Sequence, residues 1–123
     1  MRLTKNFITA EFNSKDGSEM PEDVLQNVQK LANNLQVLRD RLNAPIIINS
    51  GYRSPSHNKA VGGAVRSQHV LGKASDIVVL GYTPKEVAEE IERLINRGEM
   101  LQGGLKAYNT FVHYDIRKAR ARW

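Results

Sequence analysis

The sequence contains no cysteine. Disulfides and thiolate metal sites are therefore excluded, and any metal must be held by His, Asp or Glu, the donor set of catalytic rather than structural zinc. A cysteine-free chain can work in either redox environment, so the absence does not fix a compartment. Long apolar runs are also missing. No stretch approaches the ~20 apolar residues of a membrane span. The opening Met1-Arg2-Leu3-Thr4-Lys5-Asn6 leads into no apolar segment of the kind a secretory signal carries. The expectation is a soluble chain made in a cytoplasm without a signal peptide. If its substrate lies outside, something else must deliver it.

Acidic residues are outnumbered: 18 Lys and Arg stand against 13 Asp and Glu, for a net charge of +5. The excess gathers in Arg117, Lys118, Arg120 and Arg122. Such a cluster suits a polyanion, whether nucleic acid, an acidic wall polymer or anionic lipid, or it serves as a solubilising tail. No stacking aromatic array or nucleic-acid motif accompanies it, so no nucleic-acid partner is expected. A chain of 123 residues is read as one domain, residues 1–123, able to bury its own core.

Two segments carry helical periodicity. Val24, Val28, Leu31, Leu35, Leu38 and Leu42 recur at steps of four and three behind Pro21, with Ser18 or Glu19 as candidate cap and Asn43-Ala44-Pro45 as the stop. Thr83-Pro84-Lys85-Glu86 reads as a capping box, Val87, Ile91, Leu94 and Ile95 as the buried face behind it, and Gly98 as the end. Ile46 to Ser50 reads as a buried strand and Asp76 to Leu80 as a second strand. Leu105 to Tyr108 is a further strand candidate, and Phe7 to Phe12 is either a strand or a segment docked on the core. Phe111 to Arg117 alternates, with Phe111, His113, Asp115 and Arg117 on one face and Val112, Tyr114 and Ile116 on the other. Gly51 to Ser75 reads as one long loop, a length that is usually functional. The sum is an α+β fold with a small antiparallel sheet and packed helices.

The chemistry-bearing residues are His69, Asp76 and His113. Two imidazoles and a carboxylate, with a fourth position left to water, make a catalytic zinc shell. Asp76 opens an apolar run, where a carboxylate is costly unless it is paired or metal-bound. Spacing alone is unspecific, since single histidines are more often satisfied core or surface groups than ligands.

The motif Ser67-x-His69-x-x-Gly72-x-Ala74-x-Asp76, followed by Phe111-Val112-His113-Tyr114-Asp115-Ile116-Arg117, closely resembles the zinc D-alanyl-D-alanine carboxypeptidase and endopeptidase family, the M15 peptidases. The likeness is strongest to short members found in phages and in bacterial wall-lytic enzymes. Ser50 to Asn58, Gly62-Gly63 and the terminal Arg120-Ala121-Arg122-Trp123 extend it over most of the chain, from about Phe7 to Trp123. The resemblance implies a Hedgehog/DD-peptidase-like fold, Zn2+ on His69, Asp76 and His113, and a peptidoglycan peptide as substrate. It also implies a role for Arg53 in holding a substrate carboxylate or the attacked carbonyl. The residues agree on Arg53, whose fork of donors suits such an oxygen, although a turn arginine paired to a surface acid has the same spelling. Ser67 is a candidate substrate contact, and a monomer is expected.

Many family members carry an acid three residues before the second zinc histidine, where this chain has Thr110. A threonine is no general base. Asp115, on the strand face of His113, is the leading substitute and a candidate catalytic residue with Arg53; the alternative is that Asp115 orients a ligand. His57 and Glu11 are further candidates for the base. The remaining reading is that no base survives and the domain binds the wall without cutting it.

Overall fold

The computed structural model describes residues 1–123. A 3-10 turn, Thr9–Phe12, is followed by helix α1 (Glu22–Leu42), strand β1 (Ile46–Ser50), helix α2 (Pro55–Ala60), strand β2 (Ala74–Val79), helix α3 (Pro84–Asn96) and strands β3 (Gly104–Ala107), β4 (Val112–Asp115) and β5 (Ala121–Arg122). The strands form one sheet in the order β1-β2-β4-β3-β5. Every neighbouring pair is antiparallel except β3 and β5, which run parallel. The expected α+β class holds, but the sheet is mixed, because the last two paired residues return alongside β3.

The α1 stripe behaves as its periodicity requires: Val24, Val28, Leu31, Leu35 and Leu38 are buried, and Leu42 packs at the edge. Each such side chain contributes on the order of 1.5–3 kcal/mol of transfer free energy. Ser18 and Glu19 do not cap α1; Pro21 occupies the N-cap position with extended backbone and no side-chain bond. Asn43 ends the helix in the left-handed region, φ 48°, and its N–H donates to the Arg39 carbonyl. The capping box of α3 forms as written, Thr83 Oγ1 accepting from Glu86 N and Glu86 Oε1 accepting from Thr83 N. Glu90 of α3 is buried between Arg41 of α1, 2.5 Å away, and Arg93, 2.8 Å away.

Of the two readings of Phe7–Phe12, the docked segment holds: Phe7 and Phe12 are buried in the core and Thr9–Phe12 forms a 3-10 turn. Two other expectations change. Strand β1 is not wholly buried: Ile46 and Ile48 face the core, while Ile47 is exposed. The long loop contains α2, capped by Ser54 Oγ on His57 N with Pro55 at the first position.

The sheet has two unlike faces. Ile46, Ile48, Ile77, Val79, Val112 and Tyr114 pack with α1 and α3 in one core. The opposite face carries Asp76, His113 and Asp115, and pairing of β2 with β4 puts Asp76 directly opposite His113. The period-2 alternation that sends Val112 and Tyr114 inward thus delivers the chemistry to the other side.

Candidate metal centre

His69, Asp76 and His113 come together, each offering one ligand atom, all within 4.8 Å of one another. Asp76 Oδ1 lies 3.3 Å from His69 Nε2 and 3.2 Å from His113 Nδ1. Ligands about 2.0–2.1 Å from a tetrahedral zinc stand roughly 3.3 Å apart, which both Asp76–histidine distances match.

The far nitrogen of each ring is engaged elsewhere. His69 Nδ1 is 2.7 Å from the Gly51 carbonyl, which can only accept, so that nitrogen carries the proton and Nε2 keeps its lone pair. His113 Nε2 is 2.7 Å from Asp115 Oδ2, so Nε2 donates there and Nδ1 keeps its lone pair. Three lone-pair donors then converge on one point, an arrangement that calls for a cation or for extra protons. Without a metal the protons fill that need. Burial would raise Asp76, but hydrogen bonds from His113 and His69 outweigh it and hold the carboxyl well below its usual range. Burial would lower His113, and hydrogen bonds to Asp115 and Asp76 carry it upward instead. The donor set therefore fits a divalent ion with two neutral imidazoles and one carboxylate.

His69 is 3% exposed and sits in the turn between α2 and β2. Ser67 Oγ accepts its backbone N–H at 3.2 Å, and its carbonyl accepts from Arg53 N at 3.0 Å. Gly72 closes the turn at φ 74°, where a Cβ would meet Val24 Cγ1 at 2.7 Å. His113 is 8% exposed on β4.

Asp115 does not open onto the cleft. It is fully buried behind His113. Its Oδ1 accepts from Gly104 N at 2.8 Å and from Arg117 N at 3.1 Å, and its Oδ2 takes His113 Nε2 and Arg117 Nη2, both at 2.7 Å. Burial would raise this carboxyl, and the bonds from His113 and Arg117 pull it well below the usual range. Gly104 permits this approach, since a Cβ there would run into the Asp115 carboxylate. Of the two roles open to Asp115, this geometry suits the one that orients a ligand.

The other candidates for the base are placed elsewhere. Glu11 Oε2 accepts from Ile8 N at 2.7 Å and closes the 3-10 turn. His57 lies on α2 and does not line the cleft, and neither does Thr110. Arg53 and Ser67 do line it. The Arg53 guanidinium reaches Asn58 Oδ1 at 3.3 Å and Asp76 Oδ2 at 3.6 Å, which ties it to the same carboxylate that faces the histidines.

The cleft over His69, Asp76 and His113 has a volume of about 450 Å³, within the range of ligand pockets. Asp76 is the only carboxylate lining it. Phe111 and Arg117 line it from the His113 face, as the alternation predicts, whereas Arg66, Tyr108 and Trp123 carry no sequence signal that places them there; a tryptophan after β5 gives no local signal of where it will lie. The basic cluster is also not a solvated tail. Arg117 pairs with Asp115, and Arg122 pairs with Glu92 Oε1 at 2.8 Å while donating to the Gly103 carbonyl. Lys118 and Arg120 remain exposed. No helix is long and apolar enough to cross a membrane.

Comparison with known proteins bears on this geometry. No curated protein matches the sequence. Among solved structures, the Serratia marcescens L-Ala D-Glu endopeptidase ChiX is similar, with a TM-score of 0.51 and 17% identity, covering 78% of this chain and 87% of that one. At that identity the likeness speaks for the fold. A family model described as Peptidase M15 matches residues 3–115, a span that includes His69, Asp76 and His113. The chain belongs to the peptidase M15 family.

Proposed function

We propose that this chain is a zinc metallopeptidase that hydrolyses a peptide bond, one involving a D-amino acid, in the stem or cross-link of bacterial peptidoglycan. The observation that carries the reading is the convergence of His69 Nε2, Asp76 Oδ1 and His113 Nδ1, with the opposite nitrogen of each ring already donating. Family membership supplies the peptidase activity. The similar Serratia protein is an L-Ala D-Glu endopeptidase, which supports a stem-peptide substrate. The excess of basic residues suits an acidic wall polymer.

Zinc, when bound, supplies a Lewis acid for the scissile carbonyl and lowers the pKa of a water toward about 7. The chain's own residues do the rest. The Gly51 carbonyl holds His69 in the tautomer that leaves Nε2 free, and Asp115 does the same for Nδ1 of His113. Arg53, fixed by Asn58 and Asp76, presents its remaining N–H donors to a substrate carboxylate or to the oxygen on which charge develops. Ser67 accepts the His69 N–H and keeps its hydroxyl proton for a substrate acceptor. Asp115, whose oxygens are taken up by Gly104, Arg117 and His113, acts through His113 as a positioning residue.

The cleft lining favours a second reading as well. With Asp76 as its sole carboxylate and Thr110 outside it, the same centre suits a zinc-holding domain that binds the wall without cutting. One experiment separates the two. Purified peptidoglycan is treated with zinc-loaded protein, chelator-stripped protein and the His69→Ala and His113→Ala variants, and new amino groups and product masses are measured. The peptidase reading expects amines from the zinc-loaded wild type alone, and the masses name the bond. Sedimentation with peptidoglycan and no new amines establishes the binder. Equal release by stripped protein removes the zinc mechanism.

A further inference from the structure

We infer that Trp123, with Tyr108 and Phe111, forms an aromatic wall of the cleft that binds the C–H face of the substrate group beside the cleaved bond. The inference rests on the peptidoglycan-peptidase reading and deepens it. Trp123 is the only tryptophan in the sequence and is 52% exposed. Its indole lines the cleft that holds the three metal ligands. The ring edge meets the His113 ring, with centroids 5.2 Å apart at 65°. Tyr108 and Phe111 stack beside it, 4.6 Å apart and within 13° of parallel, and both line the same cleft.

The placement is built. Trp123 Nε1–H donates to Tyr108 Oη at 3.2 Å, so the polar tip of the indole is satisfied on the wall itself. The Arg117 guanidinium lies 5.4 Å from the indole centroid and is itself held by Asp115. The preceding residue, Arg122, is pinned to Glu92, to Gln102 and to the Gly103 carbonyl, while β5 pairs with β3. These contacts immobilise a large aromatic that adds nothing to the hydrophobic core. A fold that holds an exposed apolar surface at the mouth of a polar centre has prepared a binding face.

Sheet order sets the direction in which substrate would lie. Arg53 and Ser67 come from the segment that leads into β2, whereas Tyr108, Phe111 and Trp123 come from the β3–β4 hairpin and from beyond β5, across His113. The Arg53–Ser67 side suits a carboxylate, and the aromatic side, flanked by Arg117 at Trp123 and Lys106 at Tyr108, suits an apolar face on the ring surface left open. A peptidoglycan fragment offers that face from two sources, the methyl of an alanine residue or the pyranose ring of an attached sugar.

The test uses the full zinc-loaded chain. Wild type, Trp123→Phe and Trp123→Ala are assayed on a free stem peptide and on the same peptide carrying its disaccharide. Tryptophan emission of the wild type is followed as each fragment is added. The wall predicts a KM raised about tenfold in Trp123→Ala, with kcat within about threefold, zinc content unchanged and substantial recovery in Trp123→Phe. It also predicts a saturable change in wild-type emission. A change with both fragments identifies the alanine methyl, and a change with the disaccharide-linked fragment alone identifies the sugar. An unaltered KM in Trp123→Ala overturns the wall and leaves the peptidase reading standing. A fragment shown by calorimetry to bind wild type without moving the emission also overturns it, and does so even if Trp123→Ala fails to fold. Emission that shifts in a protein releasing no amines supports the wall and removes the peptidase.

Discussion

The two histidines of the centre are held by different means. His69 stands in a turn and donates to a main-chain oxygen, that of Gly51. His113 stands on a strand and donates to a buried carboxylate, that of Asp115, which is anchored by Arg117 and by the Gly104 N–H. Both arrangements fix a tautomer, but they fail differently. A carbonyl is neutral and moves only if the backbone moves. A buried carboxylate adds basicity to its ligand, at the cost of desolvation that its partners must offset. The hairpin side of the site therefore depends on a charge network, and the turn side depends on backbone fit.

Substitutions at the two supports should separate these dependences. Asp115→Asn is expected to give the largest effect: zinc affinity about 10–100-fold weaker, and metal-free stability lower by about 2–3 kcal/mol because Arg117 loses its buried partner. Zinc titration and urea denaturation measure the two. Unchanged affinity would show that His113 needs no carboxylate. Gly51→Ala comes next. Its Cβ would stand 2.7 Å from Phe12 Cα, a backbone atom that cannot swing aside, so the carbonyl that holds His69 must shift. The expected loss is about 1–3 kcal/mol, with a fall in zinc affinity smaller than that of Asp115→Asn; a larger fall would reverse the ranking of the two supports.

Thr83→Ala is the remote control. It removes the cap of α3, costs about 1 kcal/mol and should leave zinc affinity as it was. The smallest effect concerns pH on the turn side. Hydrogen bonds from Ser54 and Ser14 hold the exposed Asp16 carboxyl well below its usual value. A carboxyl depressed in the folded state contributes stability that is present above the unfolded pKa near 3.8 and lost as pH falls below it. Urea midpoints at pH 6 and pH 3 should therefore differ less in Asp16→Asn than in wild type. Equal differences would detach Asp16 from the segment leading to Arg53.

Much of this was legible in the sequence where the signal was local. The α1 stripe, the Thr83–Glu86 capping box and the alternation through Phe111–Arg117 each follow from a repeat of one element's geometry, and the structure contains all three. The three candidate ligands do converge. What escaped was set by contacts distant in sequence. Strand alternation put Asp115 on the face of His113, but the close approach of Gly104 decides that its oxygens turn away from the cleft. Ser54-Pro55 spelled the start of α2, yet six residues amid glycines looked like loop. The parallel pairing of β5 with β3, which carries Trp123 to the cleft, involves two residues and has no periodicity to read.

The central claim is that His69, Asp76 and His113 together form one zinc site. Native mass spectrometry of metal-stripped protein with zinc added back tests it most directly, on wild type and on His113→Ala side by side. The account predicts one zinc per wild-type chain and none retained by the variant at the same free zinc concentration. A wild type that takes up no zinc, or a variant that holds it equally well, would contradict it.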